Sequence, residues 1–253
     1  MRTLITIPIS HYCEKARWAL DRAGLEYVEQ RHIQGLHMLV ARRAGGGKTV
    51  PVLVTPDGVL AESEDIMRYA DEALPEDARL FPADDALGAE VTALSRSFDE
   101  GLGPEGRRWI YANMISRRDR LFRVNNQGIP DWEAAAMAVG WPFVKGLITR
   151  VLGVDTDPAA MDADEACVVR TFDAVAERLA DGRPYLCGER FTAADVTFAC
   201  LATPVLAPPQ YGLALPSDDE MPPDVLACFT RFRAHPAGAF AMRLYAERRH
   251  RRA

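Results

Sequence analysis

Ser10-His11-Tyr12-Cys13-Glu14-Lys15-Ala16-Arg17 stands between an apolar, β-branched run, Thr3 to Pro8, and a segment with small or apolar residues at Ala16, Ala19, Leu20 and Ala23 that ends at Gly24. The run before it has the length and character of a strand buried on both faces of a sheet. The spacing after it predicts a helix over Cys13 to Ala23, with Gly24 as a left-handed stop. A strand that turns into a helix through Ser-x-x-Cys puts a hydroxyl at the helix mouth, where unpaired backbone N–H groups and the macrodipole favour negative charge. A protein could hold a thiolate there. The same serine could equally be an ordinary cap, accepting a hydrogen bond from the first turn.

Outward from this point, Glu26 to Ile33 predicts a second strand and Leu36 to Ala44 a short helix, followed by the flexible Gly45-Gly46-Gly47. Val52 to Thr55 and Val59 to Ala61 flank Pro56-Asp57-Gly58 and read as an antiparallel hairpin, after which Asp65 to Ala73 returns to helical spacing. The order βαβαββα implies a four-stranded mixed sheet with helices on its faces. Leu74 to Pro82 is bracketed by prolines and is the expected linker. Beyond it, helices are expected over Ala86–Glu100, Pro104–Val124, Trp132–Leu152, Ala163–Ala180, Ala193–Thr203, Asp224–His235 and Pro236–Arg249, with Pro142 breaking or kinking the third. Phe191-Thr192-Ala193-Ala194-Asp195-Val196 is a capping-box variant with a hydrophobic staple and a structural role. The expected organisation is therefore an α/β domain over residues 1–78 and an all-helical domain over 83–253.

Three blocks, Ser10 to Arg17, Thr49-Val50-Pro51-Val52-Leu53-Val54, and Glu62-Ser63-Glu64-Asp65-Ile66, together resemble the amino-terminal, thioredoxin-like domain of the glutathione transferase superfamily. The Thr192 to Asp195 helix start, after Tyr-Leu-Cys-Gly-Glu-Arg, is similar to that of the family's carboxy-terminal domain. The resemblance implies a glutathione transferase that joins the glutathione thiolate to a small hydrophobic electrophile, with glutathione as co-substrate, no metal, and a two-fold homodimer. In that dimer the helix near Met67 to Leu74 would pack on the partner's Ala86–Glu100 helix.

Ser10 lies where serine-type and cysteine-type members carry their catalytic residue, seven before an arginine, here Arg17. Tyrosine-type members carry theirs near the end of the first strand, where this chain has Thr6, Ile7 and Pro8. By the same resemblance the Val50–Pro51 bond is cis and offers the Val50 backbone to the tripeptide, Ser63 and nearby N–H groups take the γ-glutamyl carboxylate, Glu62 faces its ammonium, and Lys48 pairs with the glycyl carboxylate. Read from the residues alone, Pro51 could be an edge-strand proline, Ser63 a helix cap and Lys48 a solvated lysine.

Cys13 occupies the second, usually buried place of a Cys-x-x-Cys-like frame, and reads as structural, as redox-active, or as a catalytic candidate in place of Ser10. It supports an alternative, glutathione-dependent thiol transfer or disulfide reduction. A further alternative is a non-catalytic binding protein on the same fold, because the resemblance fades between Arg123 and Asp162. His11 reads as a solvated loop histidine, and Tyr12 as lining a pocket or filling the sheet edge. Trp109, Tyr111, Met114, Trp141 and Phe143 are candidates for the electrophile pocket, or plain core.

With 36 acidic and 30 basic residues the formal charge is −6, which argues against general nucleic-acid binding. The basic clusters Arg117-Arg118-Asp119-Arg120 and Arg248-Arg249-His250-Arg251-Arg252 read as a solvated helix face and a frayed end. Five scattered cysteines without a Cys-x-x-Cys pair fit a reducing compartment and no zinc site. The apolar run near the start is too short for a signal peptide, and Val196 to Pro216, uncharged but broken by prolines, is no spanning helix. A cytoplasmic protein with no membrane partner is expected.

Overall fold

A computed structural model describes residues 1–251. Strand β1 (Arg2–Thr6) lies inside a four-stranded sheet, parallel to β2 (Tyr27–Arg31) on one side and antiparallel to β3 (Val52–Thr55) on the other. β3 pairs with β4 (Gly58–Leu60) across the Pro-Asp-Gly turn, giving the order β2-β1-β3-β4. Helix α1 (His11–Arg22) joins β1 to β2, α2 (Leu36–Arg43) follows β2, and α3 (Ser63–Asp71) follows β4, the predicted βαβαββα order. Gly24 takes φ 65°, the left-handed stop expected of it.

The segment after α3 is anchored, not loose: the Asp71 carboxylate accepts from Leu80 N at 2.9 Å and Phe81 N at 2.7 Å, and Leu80 is buried. Then come α4 (Asp85–Glu100), α5 (Leu102–Met114), α6 (Arg118–Asn125), α7 (Asp131–Leu152), α8 (Pro158–Leu179), α9 (Ala193–Leu201), the short α10 (Thr203–Leu206), α11 (Pro223–Ala234) and α12 (Pro236–Arg248). One expectation fails here. The helix foreseen over Pro104–Val124 is two, parted at Ile115–Arg117, where the Arg117 guanidinium reaches Asp224 of α11 at 2.9 Å. Of the two outcomes expected at Pro142, a break or a kink, the break does not occur: α7 runs through it. A proline there removes the N–H that would bond the Ala138 carbonyl, and the Arg118 guanidinium donates to that carbonyl instead, at 2.9 Å.

The main apolar core runs without a break from sheet to helices. Trp18 of α1 packs on Tyr245 of α12 and Phe191 ahead of α9, at ring distances of 4.9 and 6.3 Å. A separate core joins Ile33, Tyr111, Leu121, Met137, Trp141 and Ile148 under α7. α7 is also, among the described residues, the one helix long and apolar enough by composition to cross a membrane, and Val139, Phe143 and Val151 along it are exposed.

The basic clusters are not simply solvated. Arg249 is buried against Glu14 at 2.6 Å and Asp21 at 2.8 Å, Arg248 bonds the Tyr185 hydroxyl, and Arg252 lies outside the described residues. Arg117 and Arg118 have the partners given above.

Candidate functional site

Everything at the mouth of α1 follows from how the chain leaves β1. Pro8 offers no N–H to the sheet, so the strand stops and Ile7 to Ile9 turn, with Ser10 N donating to Ile7 O at 3.2 Å. Arg17, one and a half turns into α1, swings back to donate to the Pro8 carbonyl at 3.1 Å, and is itself held by Glu29 at 2.7 Å and Glu14 at 3.4 Å. Tyr211 donates its hydroxyl to Ile9 O at 3.0 Å, and Glu14 accepts from Gly212 N at 3.1 Å. The turn carrying Ser10 is thus clamped from the helix below it and from the loop before α11.

Ser10 is the N-cap, at φ −66° and ψ 117°, and its Oγ accepts from Cys13 N at 3.3 Å. Accepting that bond leaves its O–H free to donate. His11, expected to be solvated, is buried in the first turn; burial, with the positive charge of Arg107 added, pushes its imidazole down to about 3. The ring is therefore neutral near pH 7 and a poor proton acceptor. Tyr12 donates to Asp99 O at 2.8 Å and fits only because residue 103 is glycine: a Cβ there would collide with the Tyr12 hydroxyl. Cys13 is not among the residues that line the cavity beside Ser10. It is fully buried, and burial pushes its thiol up despite the opposing pull of Arg17 and Ser10.

A cavity of about 760 Å³ opens at this point, within the range of small-molecule sites. Ser10, Lys48, Val50, Pro51, Glu62 and Ser63 all line it, and Cys13 does not. The Val50–Pro51 peptide is cis. Ser63 is not the cap of α3: that place belongs to Glu62, whose side chain makes no capping bond, and Ser63 is the first helical residue. The first-turn N–H groups of α3 are therefore unclaimed by a side-chain cap, an arrangement suited to a carboxylate.

The opposite wall is helical. Arg107, Ile110, Tyr111 and Met114 share one face of α5 at i, i+3, i+4 and i+7, Arg120 and Leu121 come from α6, and Ile148 and Val151 from the end of α7. Two buried polar contacts fix this wall to the sheet domain: Gln34 donates to the Tyr111 hydroxyl at 3.0 Å, and Glu133 accepts from Ile33 N at 2.9 Å. Of the candidates for the electrophile pocket, Tyr111 and Met114 line the cavity. Trp109 is instead core, 6.2 Å from Phe229, Trp141 meets Phe122 edge-on at 5.1 Å, and Phe143 is exposed. Arg107, Arg120 and Gln34 were not foreseen as site residues. The i, i+3, i+4, i+7 face of α5 was a usable signal for the first; no local pattern marks the other two.

Models of the glutathione S-transferase N-terminal and C-terminal domains match residues 4–78 and 158–232. Among solved structures, the chain is similar to a glutathione S-transferase from Rhodospirillum rubrum F11, with 23% identity, 98% of this chain and 99% of that one covered, and TM-score 0.56. It is also similar to a glutathione S-transferase from Methylobacillus flagellatus KT with GSH bound, with 17% identity, 95% and 98% covered, and TM-score 0.55. A third is the β-etherase LigF from Sphingobium sp. strain SYK-6, with 18% identity, 96% and 98% covered, and TM-score 0.57. At these identities the likeness is one of fold. No curated protein matches the chain.

Proposed function

The chain belongs to the glutathione transferase superfamily, and on that footing we propose that it is an enzyme joining the glutathione sulfur to a small, largely apolar electrophile. The observation that carries this reading is the sharing of one cavity by a free-donating Ser10 hydroxyl, the Lys48–Val50–Pro51 and Glu62–Ser63 segments, and an apolar helical wall. Glutathione would lie along the first three, its carboxylates at Lys48 and at the mouth of α3, its ammonium toward Glu62, its backbone beside Val50. The thiol would sit at Ser10.

A free thiol titrates near 8.5, so each unit by which the site lowers it requires about 1.4 kcal/mol of preference for the anion. One hydrogen bond to a charged sulfur and a helix N-terminus together supply about that much to twice that much. The proton leaves to water, because the neighbouring imidazole is too acidic to keep it. The sulfur lone pair then forms the C–S bond as the electrophile's leaving group departs with its electrons, or as its double bond accepts them.

Steady-state conjugation of a reactive aromatic halide tests this. Ser10→Ala is expected to lower kcat/KM about 100-fold, and Cys13→Ala to change it less than about threefold. Turnover of a mixed disulfide that disappears in Cys13→Ala and survives in Ser10→Ala would instead favour thiol transfer. Retention on immobilised glutathione with no conjugation of halide, epoxide or enone would make the protein a binding member of the family. The same reading carries a two-fold dimer in the cytoplasm; a sedimenting mass of one chain would contradict the dimer.

A further inference from the structure

Two half-buried guanidiniums in the cavity have no partner among the described residues. Among the described residues the Arg107 and Arg120 side chains make no hydrogen bond and no ion pair, although both line the cavity and both are half-buried. Each has a nitrogen sealed from solvent with no acceptor, Nε in Arg107 and Nη1 in Arg120. Arg22, Arg117, Arg190 and Arg248 also bury one unmet nitrogen, but each bonds a partner through another, and Arg17 and Arg249 are matched by carboxylates at 2.6–2.8 Å. Unmet N–H groups on a charged side chain cost more than a lost neutral hydrogen bond, and a planar guanidinium is best satisfied by a carboxylate it can hold through two oxygens.

The charges lining the cavity are Lys48, Arg107 and Arg120 against Glu62 alone, with His11 neutral and His37 also pushed down by burial. If glutathione takes Lys48 and Glu62, as in the reading above, the two arginines are left over. They stand on α5 and α6, among Ile110, Met114, Leu121 and Val124.

We propose that the second substrate is an amphipathic carboxylate: an apolar body set against the α5–α6 wall, with its anionic group held by Arg107 and Arg120. The identification of this ligand as the electrophile rests on the conjugation reading; the anion site itself does not. An uncharged hydrophobic electrophile would leave both guanidiniums desolvated and unmatched, so the site discriminates by charge as well as by shape.

Calorimetric titration separates the two ideas because it needs no turnover. The probes are 4-butylbenzoate and its neutral near-isostere 4-butylbenzamide, each titrated into the full chain with and without saturating glutathione. The benzoate is expected to bind at least tenfold more tightly than the amide in both conditions. In Arg107→Gln and Arg120→Gln that ratio should fall severalfold, and in the double variant to near one, with the lysine substitutions intermediate. Arg42→Gln, which removes an exposed cation elsewhere, should leave the ratio as it is in the unmodified protein. Thermal melting of each variant identifies any that fails to fold, and the lysine variants then carry the comparison.

Equal binding of the two probes, or a preference that survives the double variant, would overturn the proposal. So would a preference that glutathione abolishes, since the arginines would then serve the tripeptide. A preference that behaves as expected in a protein that conjugates nothing would leave the anion site standing and remove the conjugation reading.

Discussion

Among the described residues two α-helices, α1 and α9, have a hydroxyl residue at the N-cap, and the sequence writes both starts in similar letters. At α9, Thr192 and Asp195 are occupied with each other and with the Leu186 backbone. The buried carboxylate accepts from Thr192 N at 2.8 Å, Thr192 Oγ1 at 2.9 Å and Leu186 N at 2.8 Å. At α1, Ser10 makes one long bond of 3.3 Å to Cys13 N, faces a cavity, and has its turn held by other residues, Arg17 and Tyr211 among them. A cap that spends all its valence stabilises a fold. A cap that keeps a donor in reserve, on a turn fixed from elsewhere, can act on a ligand.

The difference is open to attack from both ends. Asp195→Ala strips three buried hydrogen bonds from one carboxylate and is expected to destabilise the protein by about 3–5 kcal/mol, read as a shift of the urea midpoint. Ser10→Ala is expected to cost about 0.5–1 kcal/mol in the same measurement, the value of a weak cap, while removing most conjugation activity. If instead Ser10→Ala unfolds the protein as readily as Asp195→Ala does, the two starts are the same device and the comparison fails.

The two starts should also respond to pH with opposite sign. Burial pushes the Asp195 carboxyl up to about 6, above its unfolded value, so the native state binds this proton more readily between about pH 4 and 6. Its contribution is present below that window and is lost as pH rises through it, by at most about 3 kcal/mol. His11 is pushed down to about 3 from near 6.5, so the unfolded state binds this proton more readily and native stability is lost as pH falls from about 6.5 toward 3. Urea midpoints over pH 3.5–7.5 for the unmodified protein, Asp195→Asn and His11→Gln check both. The aspartate effect should be absent from the first variant and the histidine effect from the second.

How much of this was legible follows from where the information sits. The amino-terminal third is written in local signals: a serine before a helix, a glycine after it, a Pro-Asp-Gly turn, a proline that ends a strand. Each of its elements lies within about two residues of its expected place at most boundaries, and Ser10, Lys48, Val50, Pro51, Glu62 and Ser63 meet in one cavity. The helical wall is different. The break between α5 and α6 has no glycine or proline, and α7 stays whole across Pro142, where Arg118 of α6 donates to the Ala138 carbonyl that the proline leaves free.

Arg107 and Arg120 come from separate helices and acquire meaning only when these pack. His11, expected to be solvated, is buried for a related reason. Depth below a surface is set by what packs over it, here α5 and the loop before α11, and no spacing in the first twenty residues records that. Phe143 was misplaced by the same gap: α7 is apolar on most sides, so its pattern does not say which face is covered.

The central claim is that the Ser10 hydroxyl and the mouth of α1 favour a sulfur anion. It is tested most directly by titrating the ultraviolet thiolate absorbance of bound glutathione against pH, in the unmodified protein and in Ser10→Ala. The account predicts a thiol pKa lowered by one to two units from about 8.5 in the unmodified protein and a return most of the way in the variant. A bound thiol that titrates near 8.5 in the unmodified protein, or one equally lowered without the hydroxyl, would contradict it.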